Sequence, residues 1–381
     1  MRRVLVHVGA PKTGTTLVQD LLHRNRDRLR DHGVLYPGQR FDAHFLAALD
    51  LLGKRWGGLE QEAVGAWEAL VAEANDWEGD VVISHEILAA ASARQARRAL
   101  TGLRGEIHVV YSVRDLGRQI PAEWQEGIKH RRTTGYGEFL ADLCSERPKT
   151  PQAQWFWSVQ DWPSVLHRWA GPLPADRVHV VTVPGPDAPP DLLLNRFLDV
   201  FRIDRTWLPA TSQRANPSLG VVETAVVRQL NSMLPARSLK GPHYRRFVRE
   251  LLAHRTLANR ENSAKITLPP ELSEWVRSTT DSWITQLQQQ DYDVVGDLAE
   301  LRPEGPDRVW LDPDAAGAGE QLDVAYAVVE ALLLELAHLA EASDAGPRPR
   351  ARRERVKRRA VQLMGPRVAG AGLRVYRRLR R

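Results

Sequence analysis

Four short runs of β-branched and aliphatic residues, separated by longer stretches with helical spacing, constrain this chain more than any other feature. They are Val4-Leu5-Val6-His7-Val8, Val81-Val82-Ile83-Ser84, Ile107-His108-Val109-Val110-Tyr111 and Val178-His179-Val180-Val181-Thr182-Val183. Runs that are apolar along most of their length suit strands covered on both faces, as in a parallel sheet between helical layers. Leu17, Leu21 and Leu22, with Leu29 further on, carry the helical spacing after the first run. Strand-helix alternation of this kind predicts an α/β fold with a parallel sheet flanked by helices. Gly33-Val34-Leu35-Tyr36-Pro37 reads either as one more short strand or as the lead-in to a loop.

Beyond Pro209 the pattern becomes mainly helical, with predicted helices over Val221 to Leu234, Tyr244 to Leu257 and Leu272 to Gln289. Pro303-Glu304-Gly305-Pro306 cannot continue a helix and marks a boundary. The expected organisation is therefore an α/β domain over 1–305, a helical extension over 306–345 built on an apolar helix from about Leu322 to Leu339, and a basic tail over 346–381.

Charge is divided just as sharply. The net charge is +6, yet residues 346–381 hold 14 Lys and Arg against one acid, Glu354, and the rest of the chain carries 39 basic and 46 acidic residues. The body is mildly acidic, so the basic balance predicts no nucleic-acid surface on it. Within the tail, Val356, Ala360, Leu363 and Met364 share a helical face, Gly365-Pro366 interrupts, and Leu373, Tyr376 and Leu379 repeat the pattern. A basic face beside a modest apolar one suits an anionic membrane surface; a disordered solubilising tail is the competing reading. Cys144 is the only cysteine, which excludes an intramolecular disulfide and a cysteine-rich metal site. No apolar run approaches the roughly 18 residues of a membrane span, and the N-terminus runs directly into the first strand. The expected location is cytoplasmic, with peripheral attachment to a membrane through the tail.

Between the first strand and the first helix lies Gly9-Ala10-Pro11-Lys12-Thr13-Gly14-Thr15-Thr16. A glycine-bearing turn at that point aims backbone N–H groups and the positive end of the helix at one spot, a ready anion site. Lys12 adds a mobile cation, and Thr15 and Thr16 add hydroxyl donors. The spacing is not Walker A, since the lysine precedes the second glycine by two positions.

Pro-Lys-Thr-Gly-Thr-Thr after an N-terminal strand resembles the 5′-phosphosulfate loop of the sulfotransferases that use 3′-phosphoadenylyl sulfate (PAPS). A second signature of that family is an arginine at the end of a central strand with a serine eight positions on, both holding the 3′-phosphate. Val109-Val110-Tyr111-Ser112-Val113-Arg114-Asp115 resembles its strand and arginine, whereas the position eight on is Ala122. Trp124 resembles an aromatic the family often has nearby. Weaker likenesses run through Trp162, Leu166 and Trp169, Arg214 to Leu219, and Tyr292 to Leu298, so the resemblance covers roughly residues 1–305. It implies a P-loop-like parallel sheet, with Pro11, Lys12, Thr13, Gly14, Thr15 and Thr16 around the 5′-phosphosulfate. It also implies Arg114 on the 3′-phosphate, with Arg118 able to replace the missing serine hydroxyl, PAPS released as adenosine 3′,5′-bisphosphate (PAP), and no metal.

Sulfuryl transfer resembles phosphoryl transfer, an in-line exchange in which positioning and electrostatics do most of the catalysis. Lys12 is suited to the charge growing on the leaving oxygen. A hydroxyl acceptor also needs a base, and Ser84-His85-Glu86 closes the second clear strand on the carboxyl edge where parallel sheets place ligands. Glu86 is preferred over His85, the competing reading being that both cap the following helix; His44 comes third. Trp155, Trp157 and Trp162 read more readily as packing residues than as a carbohydrate platform. Lys129-His130-Arg131-Arg132 reads equally as the lining of an anionic pocket or as a solvated turn. The acceptor stays open among a small hydroxylated molecule, a glycan, a glycolipid, a phenol and a peptide tyrosine. A P-loop-like nucleotide kinase or NTPase, and a non-catalytic nucleotide-binding relative, are the alternatives.

Overall fold

The computed structural model describes residues 2–56, 58–171, 173–211, 218–234, 237–261, 263–303 and 310–344. The boundary at 304–306, most of the Arg214 to Leu219 stretch and the basic tail fall outside these residues. The chain divides into two compact units, 1–325 and 326–381.

The first unit is built on six strands: β1 (Arg3–His7), β2 (Val34–Leu35), β3 (Asp80–Ser84), β4 (Glu106–Val113), β5 (Val178–Thr182) and β6 (Asp293–Val295). They form one sheet in the order β2-β3-β1-β4-β5-β6, with every pair parallel. The four apolar runs of the sequence are β1, β3, β4 and β5, and the Gly33 to Pro37 stretch contributes the two-residue β2. Their interiors are fully buried, as continuous apolar runs require: Leu5, Val82, Val110 and Val181 have no exposed surface. On one face these four pack with Val18, Leu21 and Leu22 of the helix Thr15–Arg24 and with Phe197, Leu198 and Phe201 of the helix Leu192–Phe201. Each such side chain contributes about 1.5–3 kcal/mol through burial.

Topology fixes where a ligand can sit. The chain leaves β1 for the β2 edge, returns through β3 beside β1, and then crosses to β4 on the other side of β1. The order therefore reverses at β1, and open parallel sheets bind ligands beyond the carboxyl ends of the strands at that reversal. The segments arriving there are the Gly9–Thr16 loop, His85 after β3 and Arg114 after β4.

The C-terminal half is helical as expected, with helices Val221–Met233 and Ser273–Gln288. The stretch expected as one helix from Tyr244 begins as a short α-helix, Gly241–Tyr244, and continues as a π-helix, Arg245–Thr256. A long helix, Ala318–Asp344, continues from the first unit into the second and encloses the predicted Leu322 to Leu339 segment. Tyr326, Val329, Leu333, Leu334 and Leu336 on it are exposed. Among the described residues no helix is long and apolar enough to cross a membrane.

Candidate functional site

The loop after β1 is fastened to the end of β4. Val8 N–H donates to Val110 O and Ala10 N–H to Ser112 O, both at 2.9 Å, and Ser112 Oγ donates to Gly9 O at 2.8 Å. Thr13 lies inside this framework. Its hydroxyl donates to Ala10 O at 2.6 Å and meets Ser112 Oγ at 2.5 Å. Pro11 O takes the side-chain amides of Gln119 at 2.8 Å and Gln160 at 3.1 Å. Gly9 must be glycine, because it has φ 123° and a Cβ there would lie 2.6 Å from Glu86 O.

Among the remaining loop residues Lys12, Gly14 and Thr16 keep exposed surface. Lys12 has φ 64° and Gly14 φ 81°, and Gly14 opens the helix Thr15–Arg24 without a side-chain cap. The amides of the first helical turn have no intrahelical partner, so those of Thr15 and Thr16 are available to an anion. Gly14 is exposed, Thr16 half-buried and Thr15 buried. The turn between β1 and the helix Thr15–Arg24 thus has Thr13 as its internal brace.

Arg114 follows β4 and reaches back to the loop, where one Nη donates to Lys12 O at 3.3 Å. It makes no ion pair among the described residues, and its Nε is buried without a hydrogen-bond partner. The neighbouring acid does not neutralise it. Asp115 caps the helix Leu116–Lys129 through Arg118 N–H and pairs with the Arg118 guanidinium. Burial, and then the positive charge of Arg118, lower the Arg114 pKa to about 10. The other nitrogens of Arg118 donate to Pro184 O at 3.0 Å and Val183 O at 3.4 Å, so three of its five N–H groups are engaged.

One face of the helix Leu116–Lys129 supplies Gln119, Glu123 and Glu126, to which the sequence assigned no role, and leads to His130 of the basic run. Gln119, Glu123, Glu126 and the following His130 recur at helical spacing. Glu126 Oε2 pairs with Lys12 Nζ at 3.0 Å, while its Oε1 takes His130 at 3.2 Å and Arg249 at 3.3 Å. Although burial opposes it, Lys12 and His130 hold the Glu126 carboxyl well below the usual range. Glu123 is only 6% exposed and accepts from Gln160 at 2.9 Å. Burial pushes its pKa up to about 7, against the opposing pull of Lys12. The basic run starting at Lys129 is buried at its beginning and exposed at Arg132. Lys129 is 1% exposed with a pKa lowered by burial to about 8, and Arg131 lies over the Tyr244 ring.

The two candidate bases sit where β3 ends. His85 accepts from Ile87 N–H at 3.3 Å through Nδ1, capping the short 3₁₀ helix Glu86–Ala90. Burial lowers its pKa, against the opposing pull of Glu86. Glu86 accepts from Gln19 at 2.8 Å. Burial would raise its pKa, but His85 and Gln19 outweigh that and keep it ionised. His44 has both ring nitrogens occupied, by Ser84 N–H at 3.0 Å and Pro37 O at 2.7 Å, which makes it a structural tie between β3 and the loop after β2. Half-buried aromatics link the two sides of the site. His85 stacks on Phe45, Phe45 meets the edge of Trp56, and Trp56 meets His130. Trp124 and Trp162 are fully buried, while Trp155 lies under Lys54 Nζ at 4.1 Å.

No protein-family model and no curated protein matches the chain. Among solved structures the chain is similar to a sulfotransferase domain from the curacin biosynthetic pathway, at 12% identity and a TM-score of 0.32. That likeness covers 56% of this chain and 79% of that domain. The parallel α/β architecture is read from the strand pairing itself, and the chemistry of the site from its side chains.

Proposed function

We propose that this protein is a sulfotransferase that moves a sulfuryl group from PAPS to a hydroxyl acceptor. The observation that carries the reading is Arg114, a guanidinium with no carboxylate partner among the described residues and a buried, unsatisfied Nε, beside a loop with open amides. A buried charge left unpaired is costly, and a bound phosphate would supply its missing partner by a charge-assisted fork. The loop would hold a second anionic group through the amides of Gly14, Thr15 and Thr16, with Pro11 and Thr13 maintaining its shape.

Bound PAPS would supply an activated sulfuryl group. Lys12 Nζ stabilises negative charge at the loop, and to do so it turns from Glu126 toward the bound anion. Glu86 accepts the proton of the acceptor hydroxyl as an ionised carboxylate; His85 would do so only through Nδ1 after releasing Ile87 N–H, since a neutral ring whose Nδ1 accepts carries its hydrogen on Nε2. The line of Phe45, Trp56 and His130 supports this face as the approach for an acceptor carrying a ring or apolar surface. The basic tail is proposed to hold the protein at an anionic membrane surface.

Calorimetric titration with PAP and with ATP tests the nucleotide half of the reading. PAP should bind about ten-fold tighter or more, because only PAP offers a 3′-phosphate to Arg114. Equal or tighter ATP binding would support a kinase or NTPase instead. Labelled PAPS offered with a panel of hydroxyl compounds tests the chemical half. PAP binding without transfer to any acceptor would make the protein a non-catalytic nucleotide-binding relative.

A further inference from the structure

At the amino-terminal edge of the sheet, opposite the loop, four ionisable side chains on three neighbouring strands form one hydrogen-bonded row. Glu106 Oε1 lies 2.9 Å from His108 Nε2, His108 Nδ1 lies 2.8 Å from His179 Nε2, and His179 Nδ1 lies 2.6 Å from Asp293 Oδ2. The two imidazoles stack with centroids 5.1 Å apart and planes 14° from parallel. Register brings them together, since Val110 on β4 pairs with His179 on β5, and His179 with Asp293 on β6.

Counting hydrogens decides what this row contains. Each of its three contacts requires one hydrogen between two heavy atoms. The two ends are carboxylates, which when ionised only accept, and two neutral imidazoles bring one N–H each. Two hydrogens cannot make three bonds. We infer that the row binds one proton beyond that complement and works as a proton-dependent clamp joining the edge strand β6 to β4 through β5.

The extra proton belongs to the histidine pair. Asp293 is half exposed and its carboxylate lies 2.6 Å from His179 Nδ1. His108 is 6% exposed, and burial disfavours a charge on it, so the ring that faces the Asp293 carboxylate is the better place for the added hydrogen. Both N–H groups of His179 then donate, one to Asp293 and one to His108 Nδ1, while His108 donates from Nε2 to Glu106. The surrounding charges among the described residues are Arg177, 3.9 Å from Glu106, and Arg3 with its partner Asp80 on the neighbouring β1 and β3. Loss of the third proton as pH rises removes one bond of the row and leaves two carboxylates beside two neutral rings. β6 has three residues and pairs with β5 alone, so it is the element that loosens.

Long-range ¹H–¹⁵N correlation spectra of the full chain with ¹⁵N-labelled histidine test the clamp directly. At pH 7 the His108–His179 pair should show three protonated nitrogens out of four, falling to two as pH rises and the single imidazolium becomes neutral. Two neutral rings at pH 7 in the unmodified protein would overturn the inference. Asp293→Asn provides a second arm, because its amide donates to His179 Nδ1 and all three bonds then form with neutral rings. The imidazolium signal should disappear in that variant. Exchange of the Val294 and Val295 amides should lose the excess acceleration with pH that the unmodified protein shows. An imidazolium that persists in Asp293→Asn, or β6 exchange that follows pH identically in both proteins, would sink the proposal.

Discussion

Arg114 differs from the other charged residues of the site because its usual partner is taken. Asp115 is committed to the Arg118 side chain and to the helix it caps, so an anion brought to Arg114 displaces no existing salt bridge. A charge-assisted hydrogen bond contributes about 1.5–3 kcal/mol, or roughly 10- to 100-fold in affinity. Arg114→Ala should therefore weaken PAP by about that factor and adenosine 5′-phosphosulfate, which lacks the 3′-phosphate, far less. Equal losses for the two ligands in a titration would remove Arg114 from the 3′-phosphate. At this scale the sequence was informative wherever a residue's role follows from its place on a strand end. Lys12, Gly14, Thr15, His85 and Glu86 were named on that ground and Arg114 from the family likeness, and the structure places all six at the same edge of the sheet. Ser112, Gln119, Glu123, Glu126 and Gln160 were not, because their roles come from partners about 40 to 150 positions away, such as Pro11 O for Gln160. A signal did exist: polar residues at 119, 123, 126 and 130 form a stripe on a helix that starts beside the predicted site.

The helix Leu116–Lys129 turns that stripe into a pH-dependent property of the fold. Glu123 is buried, and its pKa of about 7 lies above the ordinary glutamate value of 4.5. Between these two values the folded protein keeps a proton that the unfolded chain has released. Stability therefore falls as pH rises through this window and levels off above about 7. A shift of this size corresponds to at most about 3 kcal/mol. Glu123→Gln retains an acceptor for Gln160 and has nothing to titrate. In urea unfolding it should match the unmodified protein near pH 4 and exceed it by up to that amount near pH 8. A difference that does not change with pH would show that Glu123 does not titrate in this window. Other elements were legible in proportion to their length and burial. The four buried strands were readable as apolar runs, and the helices Val221–Met233 and Ser273–Gln288 as periodic ones. β6 was seen only as a piece of family likeness, because three half-exposed residues carry no periodicity. The π-helix Arg245–Thr256 keeps a helical face and reads from sequence as an ordinary helix.

Across the whole molecule the decisive asymmetry is electrostatic. The 36 residues beyond Ala345 hold 14 cations, while the rest of the chain has more acids than bases. The Gly9–Thr16 loop, Arg114 and the two candidate bases all belong to the first unit, so the candidate site and the excess charge reside in different parts of the chain. Each Lys or Arg near an anionic bilayer contributes about 1 kcal/mol, and the attraction fades over a Debye length of about 8 Å at physiological salt. Val356, Leu363, Met364, Leu373, Tyr376 and Leu379, interleaved with those cations, offer a shallow apolar anchor that salt does not screen. The full-length protein should therefore sediment with vesicles containing anionic lipid at low salt, and salt should release most of it. Neutral vesicles should retain little, because the apolar residues alone are too few. Truncation after Ala345 should abolish sedimentation and leave PAP binding unchanged, since nothing that would touch the nucleotide is removed. If the truncated protein still sediments, the membrane contact belongs to the body. If it loses PAP affinity, the tail is part of the nucleotide site, and the separation of charge from chemistry argued here is wrong.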